Sequence, residues 1–356
     1  MIRALKRTAC AALVAALAVV GLAGAVPSAV AAAPSVQGVA PDEPQEITGI
    51  DGHDGMINKV GGTYYLYGTR YACGFKWQHP ETDFCGFGVW SSPDKVHWTD
   101  RGNMFDPSGH NSWGGITPGG ESWQQTCVKH FGGGCFNPRM VQRQSDGVWI
   151  LWFNAPDDFR RIGANAYYAL GCNSPVGPCG SEAGGPHGST NKPNMSTCYD
   201  NGDFSIVNDG GSAYIVCTMA NQTLNIEPLD QWWVNGVGGG VRNVVGRNDV
   251  ESPAIFRSGS VLYLTYSQPN CGYCSGTGAG YAYSTNGMLG PWHEVGRISD
   301  QSCGGQVRSL SWLDNGLVEW IDQWYPDRDP NQANASIRLE PIHVPTPGTV
   351  AHMTCP

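Results

Sequence analysis

From about residue 47 onward, short runs of β-branched and aromatic residues alternate with clusters of Gly, Asn, Asp and Pro. That alternation predicts strands joined by tight turns, and amphipathic helical stretches are scarce. One unit recurs five times: a short apolar run, a turn containing Gly, then an aromatic-rich run. The copies are residues 55–60, Gly61-Gly62 and 63–67; 138–142, Asp146-Gly147 and 148–153; 204–207, 209–211 and 213–217; 253–257, Gly259 and 261–266; and 307–312, Asn315-Gly316 and 317–321. Each copy predicts a hairpin by its turn chemistry. Several are followed by further strands, as in residues 87–91 turning through Ser92-Pro93-Asp94 to His97-Trp98, and residues 166–170 and 281–284.

Five hairpins in one chain predict an all-β fold, a five-bladed β-propeller with four-stranded antiparallel blades, as one domain over residues 47–356. A β-sandwich would require the likeness between hairpins to be accidental, and predicts two stacked sheets instead. Residues 34–46, with Pro, Gln and acidic residues, read as a linker or arm. Residues 1–33 read as a secretory signal peptide, with Arg3, Lys6 and Arg7 before an Ala, Val and Leu run and Ala31-Ala32-Ala33 at the cleavage site. A secreted, extracellular protein is the expectation, with no membrane association after cleavage.

Charge and cysteine content sharpen this picture. Removing the signal segment takes three positive charges, so the net charge moves from −9 to 18 − 30 = −12. A polyanionic partner such as nucleic acid is therefore not expected. Low charge (14%) with 10% aromatics excludes a disordered body. Of 13 cysteines, Cys10 lies in the signal segment, leaving an even twelve. In an exported chain these predict disulfides. Cys73–Cys85, Cys127–Cys135, Cys172–Cys179 and Cys271–Cys274 are the local candidates, with the full connectivity left open. The Cys271–Cys274 pair lacks the second pair that a zinc site would need.

In a propeller the innermost strands line a central channel. The residue before each inner run is polar: Asp54, Asn137, Asp203, Glu251 and Gln306, at intervals of 48 to 83 residues. Glycoside hydrolysis needs one carboxylic acid to protonate the leaving oxygen and a second carboxylate across the bond. A neighbouring negative charge keeps the acid protonated by raising its pKa. Three carboxylates in register with the repeat fit those roles. Taken singly, each would read as a solvated strand-end group.

Here the chain resembles glycoside hydrolase family 43 and its clan of five-bladed propellers, over about residues 50–345. The segment from Asp54 through Gly61-Gly62 to Tyr67 matches the family's first-blade motif. Asp203 through Asp209-Gly210 to Tyr214 is similar to its third-blade motif, and Glu251-Ser-Pro-Ala-Ile-Phe-Arg-Ser-Gly259 to its acid motif. The resemblance implies an inverting glycosidase, with Asp54 as general base, Glu251 as general acid and Asp203 as pKa modulator and orienter. Asn137-Pro-Arg-Met140, Asn221-Gln-Thr-Leu-Asn225 and Cys303-Gly-Gly-Gln306 look like the exo-β-1,3-galactanase branch. That branch often lacks the first-blade Asp and carries a second-blade Glu, where this chain has Asp54 and Asn137. Galactosyl and furanosyl (arabino- or galactofuranosyl) linkages both fit. Many members carry a fifth-blade His near a central metal; Gly304-Gly305-Gln306 offers none, so neither metal nor cofactor is expected.

Candidate substrate-binding residues are His53, Asn137, Gln306, Trp77 and Trp324, with Trp113 and Trp123 as further rings in Gly-rich or polar loops. The partner would be an oligo- or polysaccharide, and the protein a monomer. The rival class is a non-catalytic carbohydrate-binding propeller, which has no chemical need for three convergent carboxylates. Arg328-Asp329-Pro330 reads as a turn, and Gly132-Gly-Gly134 and Gly238-Gly-Gly240 as loops rather than phosphate cradles.

Overall fold

The computed structural model describes residues 43–356 apart from 78, 80, 108–126, 128–133, 157–164, 181–191, 201, 269–272, 315, 326–330 and 356. Among the described residues, eighteen strands make up five antiparallel sheets. A short strand β1 (Gln45–Ile47) opens the chain. Blade one then runs outward through β2 (His53–Val60), β3 (Thr63–Thr69), β4 (Phe87–Ser92) and β5 (Thr99–Asn103). Blade two contains β6 (Phe136–Gln142), β7 (Trp149–Asn154) and β8 (Tyr167–Cys172). Blade three contains β9 (Phe204–Asp209), β10 (Ser212–Thr218) and β11 (Leu224–Pro228). Blade four contains β12 (Glu251–Ser258), β13 (Val261–Gln268), β14 (Gly278–Ser284) and β15 (His293–Ser299). Blade five contains β16 (Gln306–Leu313), β17 (Gly316–Gln323) and β18 (Ser336–Ile342). All five hairpins expected from the sequence are present, each joining the first two strands of its blade.

The ring closes through the most distant pairing in the chain. β1 adds to the outer edge of β18, with Gln45 opposite Leu339 and Ile47 opposite Ile337. Gln45 and Glu46, expected in an arm, therefore belong to blade five. Their unpaired backbone groups meet an open sheet edge, which offers a complementary row of donors and acceptors.

Each blade packs on two neighbours, and five apolar clusters fill the five interfaces. Phe87 and Val89 meet Leu151 and Phe153 between blades one and two. Trp152 meets Ile215 between two and three, and Val216 meets Leu264 between three and four. Tyr263 meets Ile321 between four and five, and Trp320 meets Leu66 between five and one. Burial on both faces explains why β7 and β13 read as nearly unbroken apolar runs rather than alternating ones.

The expectation of four strands per blade holds in blades one, four and five. Among the described residues, blades two and three have three strands each. Isolated bridges stand beside their third strands: Cys172–Cys179 in blade two, Ile226–Val241 and Leu229–Gly236 in blade three. Residues 236–240 are mostly Gly, which adds backbone entropy and no side chain to hold a longer ladder.

Three expected disulfides are present: Cys73–Cys85, Cys127–Cys135 and Cys172–Cys179. Cys198–Cys217 and Cys303–Cys355 add two that local spacing did not suggest. Cys274 is also disulfide-bonded, and its expected partner Cys271 lies outside the described residues. Trp113, Trp123 and Arg328-Asp329-Pro330 lie outside them too. No helix among the described residues is long and apolar enough to cross a membrane.

Candidate active site

The inner strands open on a repeated backbone device. In β2 the pairing shifts between His53–Thr69 and Met56–Tyr67, leaving Asp54 and Gly55 bulged, with Asp54 at φ 51°. β6 shifts likewise between Phe136 and Arg139, with Asn137 at φ 56°. β12 shifts between Glu251 and Ala254, with Ser252 at φ 51°. Such bulges re-aim a side chain where a strand meets a site. Gly55 is required because a Cβ there would lie 1.7 Å from the Tyr67 carbonyl oxygen.

These shifts correct the register that the sequence suggests. Asp54 corresponds to Asn137 and Ser252, the bulged residues. Glu251 and Gln306 lie on the ladder beside them, opposite Ser267 and Asp322. All five polar residues nonetheless line one pocket, of about 790 Å³ with its open mouth. Arg308, Asn154 and Thr218 add to its polar part, and Tyr71, Trp77, Phe136, Tyr273 and Trp324 form its aromatic part.

Asp203 is the most heavily held of the three carboxylates. It accepts from Arg308 Nη1 (2.7 Å), Ser252 Oγ (2.6 Å) and Asn137 Nδ2 (2.8 Å). Burial pushes its carboxyl up, but Arg308 and these donors outweigh it, and the net shift is downward. Asp203 therefore stays ionised. Glu251 moves the other way. Burial first, and the Asp203 charge second, raise it to about 8, against the lowering influence of Arg308 and Gln306. Gln306 Nε2 donates to Glu251 Oε1 at 2.5 Å, and Trp324 Nε1 donates to Gln306 Oε1 at 3.0 Å.

Asp54 is only 1% exposed. Its Oδ1 accepts from Thr69 Oγ1 (2.7 Å), and its backbone N–H donates to Asp322 Oδ2 (2.7 Å). Burial raises its carboxyl to about 7, opposed chiefly by Arg308.

One candidate takes another place than expected. His53 does not line the pocket. It is fully buried beneath it, with Nδ1 3.2 Å from Asp322 Oδ1 and its ring against Tyr71 and Trp324. It cannot meet a sugar hydroxyl directly, because the ladder position before the bulge points it behind Asp54. Asn137 does line the pocket, but its amide is engaged by Asp203, Asn154 and Arg308. There it hydrogen-bonds both members of the Asp203–Arg308 pair. Trp77, Gln306 and Trp324 line the pocket as expected.

Three charged residues escaped the sequence reading. Arg308 joins Asp203, Ser252 and Asn137. Asp322 takes the Asp54 N–H, His53 and the Trp320 indole. Arg139 lies buried in the channel and donates to the carbonyls of Asp54 (2.6 Å), Gly55 (3.0 Å), Phe204 (3.1 Å) and Arg308 (3.1 Å). Burial lowers it to about 10, so it stays charged. The available signal was a charge inside a strand otherwise destined for burial, which needs a partner. Among the described residues, no group of three or more His, Cys, Asp or Glu could hold a metal ion.

No protein-family profile matches the chain, and neither does any curated protein. Solved structures do share its fold. A Bifidobacterium bifidum protein provisionally assigned as an exo-β-1,3-galactanase is 18% identical, with a TM-score of 0.62, covering 87% of this chain and 91% of that one. The exo-β-1,3-galactanase of Phanerochaete chrysosporium with β-1,3-galactotriose is 17% identical, with a TM-score of 0.61, covering 83% and 61%. That of Clostridium thermocellum is 16% identical, with a TM-score of 0.62, covering 85% and 61%. The chain thus spans about three-fifths of the length of the last two. At these identities the likeness establishes the five-bladed propeller fold.

Proposed function

We propose that this chain is a secreted, inverting glycoside hydrolase that removes terminal galactosyl or pentofuranosyl units from polysaccharides. One observation carries the reading: Asp54, Asp203 and Glu251, from three blades, line one pocket in which Asp203 is held ionised and Glu251 is pushed up to about 8. A buried acid kept protonated by an ionised neighbour is what leaving-group protonation requires. The structural neighbours named as exo-β-1,3-galactanases favour galactosyl linkages among the two classes. The disulfides fit an oxidising compartment.

In the reaction, Glu251 gives its proton to the glycosidic oxygen as the bond from that oxygen to the anomeric carbon breaks. The bonding electrons leave with the oxygen. A water molecule attacks the anomeric carbon from the opposite face, and Asp54 takes its proton. One water is consumed, and the sugar is released with inverted configuration. Asp203 and Arg308 bracket the acid and hold its charge environment. In the aromatic wall Tyr71, Tyr273 and Trp324 are buried, and the half-buried Trp77 is the ring that can meet the apolar side of a sugar.

The test is a panel of aryl β-galactopyranosides, α-arabinofuranosides and β-galactofuranosides together with β-1,3-galactan, followed by NMR of the first product formed. Hydrolysis with inverted anomeric configuration is expected. A retained configuration would reject the mechanism. Tight sugar binding with no turnover on any member would favour the binding-module alternative.

A further inference from the structure

We infer that Gln306 and Trp324 form a positioning pair that fixes which oxygen of Glu251 carries the proton it transfers. The inference rests on Glu251 being the general acid, and follows from donor chemistry. An indole N–H can only donate. The atom of Gln306 that meets Trp324 Nε1 at 3.0 Å is therefore its carbonyl oxygen. The amide nitrogen must then face Glu251, where it lies 2.5 Å from Oε1. An N–H pointing at Oε1 favours that oxygen as the carbonyl of the protonated acid, because the carbonyl oxygen is the stronger acceptor. The hydrogen then sits on Oε2. No described residue donates to or accepts from Oε2, and Glu251 lines the pocket, so that oxygen is free to face a bound sugar.

The backbone makes the arrangement stiff. Gln306 is paired with Asp322 across the first rung of β16 and β17. A Cβ on the preceding Gly305 would lie 2.4 Å from the Asp322 carbonyl oxygen, so the strand opening is pinned against its neighbour. The turn before it runs through positive φ at Ser302, Cys303 and Gly304, and the Cys303–Cys355 disulfide ties that turn to the C-terminal segment. The indole of Trp324 is wedged among His53, Tyr71 and Tyr273, with ring centroids 5.0, 5.9 and 5.1 Å away, and cannot swing aside freely.

Without the indole N–H, the Gln306 amide can turn over and present its carbonyl to Glu251. The proton would then be held on Oε1, bonded to Gln306 and aimed away from the sugar. Trp324→Phe keeps an aromatic ring and removes the donor, together with the second ring of the indole. Gln306→Leu removes the amide at similar volume. Two readouts apply: leaving-group dependence of kcat/KM, and titration of the Glu251 side chain by 13C NMR, assigned with Glu251→Gln. For Trp324→Phe we expect a loss of about 10-fold or more on poorly activated glycosides, but only a few-fold on activated aryl glycosides. We also expect the Glu251 titration to move up in both variants, because each removes a donor that favours the carboxylate. An unmoved titration in Trp324→Phe would overturn the pair, as would equal losses on both substrate classes. If the wild type cleaves nothing, the hydrolase reading fails, while the titration still decides whether Trp324 orients Gln306.

Discussion

The backbone N–H of Asp54 donates to Asp322 Oδ2 at 2.7 Å, so the second strand of blade five fixes the bulge that opens blade one. The same carboxylate accepts from the Trp320 indole and lies against His53, and all three residues are buried. Asp322→Ala should therefore leave several buried groups without a partner. We expect a stability loss on the order of 2–4 kcal/mol, measured by urea unfolding. In folded protein kept below its melting temperature, kcat should fall with little change in KM, because the base is misplaced rather than the sugar site removed. Unchanged kcat would separate Asp322 from the placement of Asp54.

The two shifted carboxyls set a pH profile. Asp54 must be ionised to take a proton, and burial places it at about 7. Glu251 must be protonated to give one, and burial with Asp203 places it at about 8. The plot of kcat/KM should be a narrow bell, with the acid limb from Asp54 and the alkaline limb from Glu251. Asp203→Asn removes the charge that raises Glu251, so its alkaline limb should move down. An upward or absent shift would show that Asp203 does not act on Glu251 through its charge.

The roles also separate by leaving group. Glu251→Gln should lose about 10²–10⁴-fold on sugars with poor leaving groups and less on activated aryl glycosides, which need little proton assistance. Asp54→Asn should fail on both, since water must be activated either way. Near-wild-type turnover by Asp54→Asn on any cleaved substrate would remove it as the base.

Away from the pocket, Glu319 in β17 is fully buried, and burial lifts its carboxyl to about 8. Its folded value lies above its unfolded one, so the folded state holds the proton more tightly. The stability this contributes is present below pH ~4.5 and is lost as pH rises through about 8. The melting temperature should fall across that window, and Glu319→Gln should flatten the fall without moving the activity profile. A wild-type melting temperature that is flat between pH 5 and 8, or equally steep in the variant, would show that Glu319 is not the source.

Much of this was legible in the chain. The five hairpins were readable because a turn and its flanking strands are encoded by residues a few positions apart. Gly61-Gly62 and Asp209-Gly210 signal the turn, and runs such as 148–153 signal strands buried on both sides. The polar residues opening each inner strand were readable for the same reason. His53 and Arg308 were not. His53 stands beside the candidate base in sequence, yet the ladder aims it behind the pocket. Arg308 looks like one polar residue in an ordinary strand until blades two, three and four bring Asn137, Asp203 and Ser252 to it.

The sequence by itself determined the strands, the turns, three of the disulfide pairs and the set of carboxylates that could meet. Tertiary structure alone decided the one-residue offset between Asp54 and Glu251, the closure of blade five by β1, and the protonation of each carboxyl. The reason is physical. Turn chemistry and apolar runs act over neighbouring residues. A bulge's register and a carboxyl's desolvation depend on groups far away in the chain, as Asp54 depends on Asp322 and Asp203 on Arg308.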